Sequence, residues 1–198
     1  MKVGVLGGSF DPVHYGHLVA AEEVRFRLQL GEVIFVPAGQ PPHKLFRAVS
    51  PAEGRLEMVN LAIASNSHFR SSRVDIDRPG PHYSVDTVAL LRKELGREAE
   101  IYFIVGLDSL LEMGSWREPA KLLRMCRVVG VTRPGYEDLS QLAPEMRRAG
   151  GDRITIVPIP QIGISSSSLR QRVKEGAPIR YQVPEVVEEY IYRHGLYG

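Results

Sequence analysis

Short β-rich runs recur along the chain at residues 2–6, 33–37, 70–76, 100–105, 127–132 and 154–158, with helical segments or loops between them. Strands kept apart in this way do not close as tight hairpins. The alternation predicts a doubly wound α/β architecture, a mostly parallel sheet with helices on both faces.

The helix signals agree with that reading. Ser50-Pro51-Ala52-Glu53 reads as a capping box with Pro at the first helical position, and Leu56, Val59 and Ile63 keep helical spacing behind it. Ser84 is expected to cap a helix that runs to about Leu95 and stops at Gly96. Pro184 opens a last helix with Val186, Val187, Tyr190 and Ile191 in one stripe, read as core packing, before Gly195. No repeat, charge block or linker divides the 198 residues, so residues 1–198 are expected to form one domain.

Composition narrows the partners. A hydrophobic content of 43% beside 24% charged residues is that of an ordinary globular protein. A formal charge of +2 is too mild to imply a nucleic-acid surface, which needs basic residues gathered on one face. Anionic metabolites fit better. No stretch has membrane-spanning length, and the first residues lack the pattern of a signal peptide. The one cysteine, Cys126, lies in a mostly apolar stretch and reads as a buried thiol in a reducing compartment. The expectation is a cytoplasmic protein with room for a homo-oligomer.

The most informative segment is Gly7-Gly8-Ser9-Phe10-Asp11-Pro12-Val13-His14-Tyr15-Gly16-His17, which follows the first strand and precedes an amphipathic stretch at 18–28. In an open parallel sheet ligands bind beyond the carboxyl ends of the strands, where glycines admit phosphates to the backbone and a helix N-terminus supplies donors. The spacing is not that of the G-x-G-x-x-G dinucleotide fingerprint, because Gly8 follows Gly7 directly and Gly16 comes eight positions later. In its place stands a His-x-Gly-His cluster whose imidazoles can face one phosphate, with Gly16 permitting close approach. Imidazole N–H groups stabilise charge developing on a phosphoryl oxygen. Two histidines three apart could also ligate a metal, but no Cys or third ligand stands nearby, so no protein-held metal site is expected.

A second cluster, Ile164-Ser165-Ser166-Ser167-Ser168-Leu169-Arg170, again sits at a strand-to-helix passage. Its serines can cap a helix and donate to phosphate oxygens, while Arg170 can fork onto the β- and γ-phosphates. By itself it would be an ordinary serine-rich cap with a solvated arginine. Paired with the first cluster it reads as a phosphate grip.

These two segments resemble those of the His-x-Gly-His nucleotidyltransferase superfamily, and of its bacterial nicotinate-nucleotide adenylyltransferases in particular. The likeness covers nearly the whole chain and implies a Rossmann-like fold. Ser9 and Ser167 stand where the family commonly has Thr, which keeps a hydroxyl at both places. The resemblance implies that Gly7, Gly8, Ser9, Phe10, Gly16, Ile164, Ser165, Ser166 and Ser167 hold ATP. Asp108, next to Gly106 at a strand end, is expected at the ribose, and Arg133 near the adenine.

The acceptor is read from three segments that each follow a strand. Pro42-His43-Lys44 is expected to meet phosphate, residues 78–87 precede a helix, and Gly106-Leu107-Asp108 with Trp116 follows the fourth strand. In the family, segments like these form the acceptor pocket. Trp116 offers its face to a pyridinium ring, and the backbone N–H groups of Tyr83 and Ser84, with Asp86 and Thr87 behind them, suit a carboxylate better than a neutral amide. The bland readings are a core Trp and a packing Tyr.

The resulting expectation is transfer of the adenylyl group of Mg2+-bound ATP to nicotinate mononucleotide, giving deamido-NAD and pyrophosphate. His14 and His17 would stabilise the α-phosphate and Arg170 the leaving pyrophosphate. Nicotinamide mononucleotide or phosphopantetheine as acceptor, a noncatalytic nucleotide sensor, and an aminoacyl-tRNA synthetase fragment are the alternatives. Phosphopantetheine enzymes lack features like residues 78–87 and Trp116, and the chain has no Lys-Met-Ser-Lys-Ser loop.

Overall fold

A computed structural model describes residues 1–40, 49–132, 153–160 and 162–198. Six strands form one sheet: β1 (Lys2–Gly8), β2 (Glu32–Pro37), β3 (Phe69–Ser71), β4 (Glu100–Gly106), β5 (Arg127–Val131) and β6 (Ile154–Val157). Every described pairing is parallel, and the spatial order is β3-β2-β1-β4-β5-β6. The order reverses between β1 and β4, and at such a switch point a crevice opens beyond the carboxyl ends of the two strands.

The strand period of two decides which helices cover which face. Leu6, Val33, Phe35, Tyr102, Ile104 and Val129 pack on one side, with Ala21 and Val24 of α1 (Tyr15–Leu28), Met58 and Val59 of α2 (Ala52–Ile63), Leu169 of α6 (Ser166–Lys174), and Val187 and Ile191 of α7 (Glu185–Arg193). Val3, Val5, Ile34, Val36, Ile101, Phe103 and Val128 face the other side, against α3 (Ser84–Leu95), α4 (Leu107–Leu111) and α5 (Pro119–Met125). Helices on both faces of a parallel sheet are what the alternation of runs required. Cys126 is buried in the second of these clusters, and that burial pushes its thiol up to about 12.

Four local expectations need correction. The run at 70–76 is a strand only over Phe69–Ser71. Beyond it the amides of Ile76 and Asp77 donate to the Arg73 carbonyl, and Arg73 pairs with Asp77 four residues on and with Glu53, so local bonds turn the chain. Ser50 does not cap α2: Pro51 holds the N-cap position without a side-chain bond, because the Ser50 backbone is committed to Asp11 and Arg55. Tyr83, in extended conformation, is the cap residue of α3, and Ser84 is its first helical residue. In the last helix Val187 and Ile191 are buried, whereas Val186 is exposed.

Candidate active site

The crevice at the switch point is a cleft of about 440 Å³. That is within the range of small-molecule sites. Its wall is assembled from places that are far apart in sequence, among them the ends of β1, β2 and β5, the start of α3, the end of β4 with α4, and the segment leading into α6.

The first wall begins where β1 ends. Gly7, Gly8, Ser9, His14, Gly16 and His17 line the cleft. His14 is the N-cap of α1, and its backbone N–H donates to Nδ1 of His17 at 3.2 Å. A neutral imidazole that accepts at Nδ1 carries its proton on Nε2, so His17 keeps an N–H donor on its far edge. The two rings stack with centroids 3.8 Å apart. Gly16 makes this possible: a Cβ there would lie 3.0 Å from two atoms of the His14 ring. The close approach that needs a glycine is therefore His14's own. Phe10 is not on the cleft wall. It takes a left-handed backbone, φ 47°, and its buried ring packs under Gly8 and edge-on to His17.

The second cluster meets the first through backbone groups. The Ile164 carbonyl comes within 3.8 Å of where a Gly16 Cβ would stand, and Ile164 lines the cleft. Ser165 caps α6 by accepting the Ser168 amide, as expected of it, and shares a bond with the Ser167 hydroxyl. The Ser166 hydroxyl donates to the Pro12 carbonyl at 2.9 Å, and Arg170 donates to the Asp11 carbonyl at 2.7 Å. These serines and Arg170 thus clamp the loop after β1 rather than forming the cleft wall itself.

Opposite lie the candidates for the acceptor. Tyr83, Ser84 and Thr87 line the cleft, and the first amides of a helix have no partner within it. Asp86, on the first turn of α3, is not on the wall, while the Thr87 hydroxyl donates to the buried Asp75 carboxylate at 2.9 Å. Trp116 stands edge-on to Phe103 with its ring in the cleft. Gly106 and Asp108 complete this wall, and a Cβ on Gly106 would lie 2.6 Å from an Asp108 carboxylate oxygen. His43, Lys44 and Arg133 lie outside the described residues.

Sequence reasoning missed several residues that the fold brings here. His82 is buried on the cleft wall; its Nδ1 accepts the Gln40 amide at 2.7 Å, so its Nε2–H donates to the Arg78 carbonyl at 3.0 Å. The Arg117 guanidinium stacks over the Tyr83 ring, 4.8 Å from its centre, at the cleft edge. Arg55, 1% exposed, donates to the carbonyls of Ser9 (2.7 Å), Ser50 (2.8 Å) and Gly39 (3.1 Å), tying the loops after β1 and β2 together. Burial lowers its pKa, and the nearby Asp11 raises it. A cation in the first turn of a helix opposes the helix dipole, which was the one signal in the sequence that Arg55 has a special task.

Comparison with known proteins agrees with this geometry. The cytidylyltransferase-like family model matches residues 5–172. The "Probable nicotinate-nucleotide adenylyltransferase" of Moorella thermoacetica is 48% identical over 198 residues, covering 99% of this chain and 91% of its own. The one of Thermomicrobium roseum is 49% identical over 197 residues, with the same coverage. Among solved structures, the fold matches the Plasmodium falciparum nicotinic acid mononucleotide adenylyltransferase complexed with NaAD at a TM-score of 0.82 and 20% identity, covering 99% of this chain and 97% of that one. A Vibrio parahaemolyticus structure matches at 0.70 with 16% identity, over 99% and 94%. With identity near one half over almost the full length, and with both segments meeting at the switch point of the sheet, the chain belongs to the nicotinate-nucleotide adenylyltransferases of the cytidylyltransferase-like family.

Proposed function

We propose that this chain, as one catalytic unit spanning residues 1–198, transfers the adenylyl group of ATP to nicotinate mononucleotide in NAD biosynthesis. The products are deamido-NAD and pyrophosphate. The observation that carries the reading is the convergence of the His-x-Gly-His turn and the segment leading into α6, which α6 clamps to that turn's loop, on one side of a cleft whose other side holds the start of α3 and Trp116.

The acceptor's phosphate oxygen attacks the α-phosphorus in line as the bond to the pyrophosphate oxygen breaks, with no covalent enzyme intermediate. Positioning and charge stabilisation then supply the catalysis. His17, with its Nε2–H turned from the helix, and the stacked His14 donate to the α-phosphate oxygens as charge builds there. Gly7, Gly8 and Ser9 offer backbone approach to the phosphates, and Asp108 holds ribose hydroxyls. Arg170, fixed by the Asp11 carbonyl, faces the departing pyrophosphate. Tyr83 and Ser84 amides take the acceptor's carboxylate, while Trp116 stacks on its positively charged ring.

The metal enters as the ATP complex. Mg2+ is then bound chiefly by the substrate phosphates. Its contribution is to offset phosphate charge. No described helix is long and apolar enough to cross a membrane.

The test is pyrophosphate release from Mg-ATP with nicotinate mononucleotide, nicotinamide mononucleotide or phosphopantetheine offered separately. Strong preference for the acid, with deamido-NAD as product, is the expected result. Release with another acceptor alone refutes the assignment of Tyr83 and Trp116, and no release with any refutes the activity. His17→Ala should lower kcat roughly a hundred- to a thousandfold while leaving the protein folded by circular dichroism.

A further inference from the structure

At the opposite pole of the sheet, where β4 and β5 begin, lies a second cavity of about 350 Å³. Among the described residues five guanidinium groups surround it, those of Arg92, Arg97, Arg124, Arg127 and Arg153, against two carboxylates, Glu98 and Glu100. The whole chain carries a formal charge of only +2, so a local excess of three positive charges around one cavity is a concentration that the fold has made. The contributors come from α3, the turn before β4, α5, and the starts of β5 and β6, so no single run of sequence reveals it.

Two of the five are already spoken for. Arg127 pairs with Glu100 at 2.8 Å, and Arg92 donates to the Met125 carbonyl at 2.7 Å, which fixes both as part of the cavity's frame. Arg97, Arg124 and Arg153 form no hydrogen bond or ion pair with any described residue. An excess of like charge raises the free energy of the folded state, and an anion held among the guanidinium groups removes that cost.

We propose that this cavity is a binding site for a compact polyphosphate anion, recognised by its charge. The remaining described lining favours phosphate over a base or sugar: Ala99, Ile101, Met125 and Cys126 are its apolar members, and among the described residues no aromatic ring offers a stacking face. Guanidinium forks match phosphate oxygens two at a time, and three such groups suit a di- or triphosphate better than a single phosphate. The site is separate from the cleft. β4 contributes Glu100 and Ile101 from its start to one and Phe103, Val105 and Gly106 from its later half to the other, and the two share no lining residue. Two anions already belong to the chemistry of this protein, pyrophosphate as a product and the triphosphate tail of ATP as a substrate, and both have the recognised chemistry.

The experiment uses uniformly 15N-labelled full-length protein with the active-site cleft saturated by one equivalent of α,β-methylene-ATP. Inorganic pyrophosphate, or in a second arm a further excess of the same ATP analogue, is titrated in while the amide signals of Glu98, Ala99, Glu100 and Cys126 are followed. Saturable shifts at those amides are expected, weakened at least tenfold in an Arg97→Ala/Arg124→Ala double variant, whose exposed side chains leave the fold intact. A response to pyrophosphate alone identifies the free diphosphate as the ligand, and one to the analogue identifies the triphosphate tail. Shifts confined to Gly7, Gly8 and Gly16, or equal affinity in the double variant, would overturn the proposal. Neither outcome depends on which acceptor the enzyme adenylates.

Discussion

The Tyr197 hydroxyl donates to the Asp11 carboxylate across 2.7 Å, joining the second-last residue of the chain to the loop that carries the catalytic candidates. Asp11 is 2% exposed, its other oxygen accepts the Ser50 amide, and its carbonyl accepts from Arg170. One buried aspartate thus gathers the C-terminal tail, the start of α2 and the start of α6 around the β1 loop. Tyr197→Phe removes a hydrogen bond to a buried charged group, and the expected loss is about 1.5–3 kcal/mol of stability, measured by urea denaturation. Unchanged stability and kcat would show that the tail does not hold the loop.

The same tyrosine makes a pH prediction. Burial pushes its phenol well above the ordinary tyrosine value, and the adjoining Asp11 adds to the effect. The folded pKa lies above the unfolded value of about 10, so the contribution is complete below that pH. It declines as pH rises further, because only the unfolded chain then sheds the proton, at a limiting slope of about 1.4 kcal/mol per pH unit. Denaturation of the parent and of Tyr197→Phe between pH 9 and 11 should therefore converge. Curves that stay parallel would contradict the burial argument.

Arg55 has three carbonyls as its partners. Arg55→Met leaves all three without that donor and takes one of the cations near Asp11 away, at an expected cost of about 3–5 kcal/mol. Arg55→Lys keeps the charge but not the planar fork and should fall between the two. A thermal melt of both variants checks this, and a methionine variant as stable as the parent would refute it.

Two glycines should respond differently to alanine. At Gly39 the new Cβ would meet the Asp75 backbone carbonyl at 2.5 Å and the His82 ring at 2.8 Å, neither of which can yield without moving the loops at the cleft. At Gly106 the obstacle is the end of the Asp108 side chain. Gly39→Ala should therefore lower stability, by roughly 1–3 kcal/mol as overpacking does. Gly106→Ala should leave stability nearly unchanged and raise the KM for ATP by displacing the Asp108 carboxylate. Melting curves beside ATP kinetics separate the two, and the reverse pattern would count against both placements.

Trp116→Ala should raise the KM for the acceptor by about 2- to 30-fold, the range of a cation–π contact, with the KM for ATP little changed. Trp116→Phe should recover part of the loss. Equal effects on both substrates would mean that the ring supports the wall of the cleft instead of stacking on the acceptor.

The sequence by itself determined the architecture, because β-rich runs alternating with helical segments allow a parallel sheet covered on both faces and little else. It also located the two segments that meet at the switch point, since glycines after a strand and hydroxyls before a helix serve a backbone geometry that is local in sequence. Where strand 70–76 was expected, the ion pairs of Arg73 with Glu53 and Asp77 prevailed, and the first of these joins residues 20 positions apart. Tertiary structure alone decided that Arg170 grips the Asp11 carbonyl, that Tyr197 reaches Asp11, and that Arg55 and His82 staple the loops around the cleft. Each of these joins partners 42 to 186 residues apart. A buried polar group must find its partner wherever the fold delivers one, and no local pattern of residue types records which partner that will be.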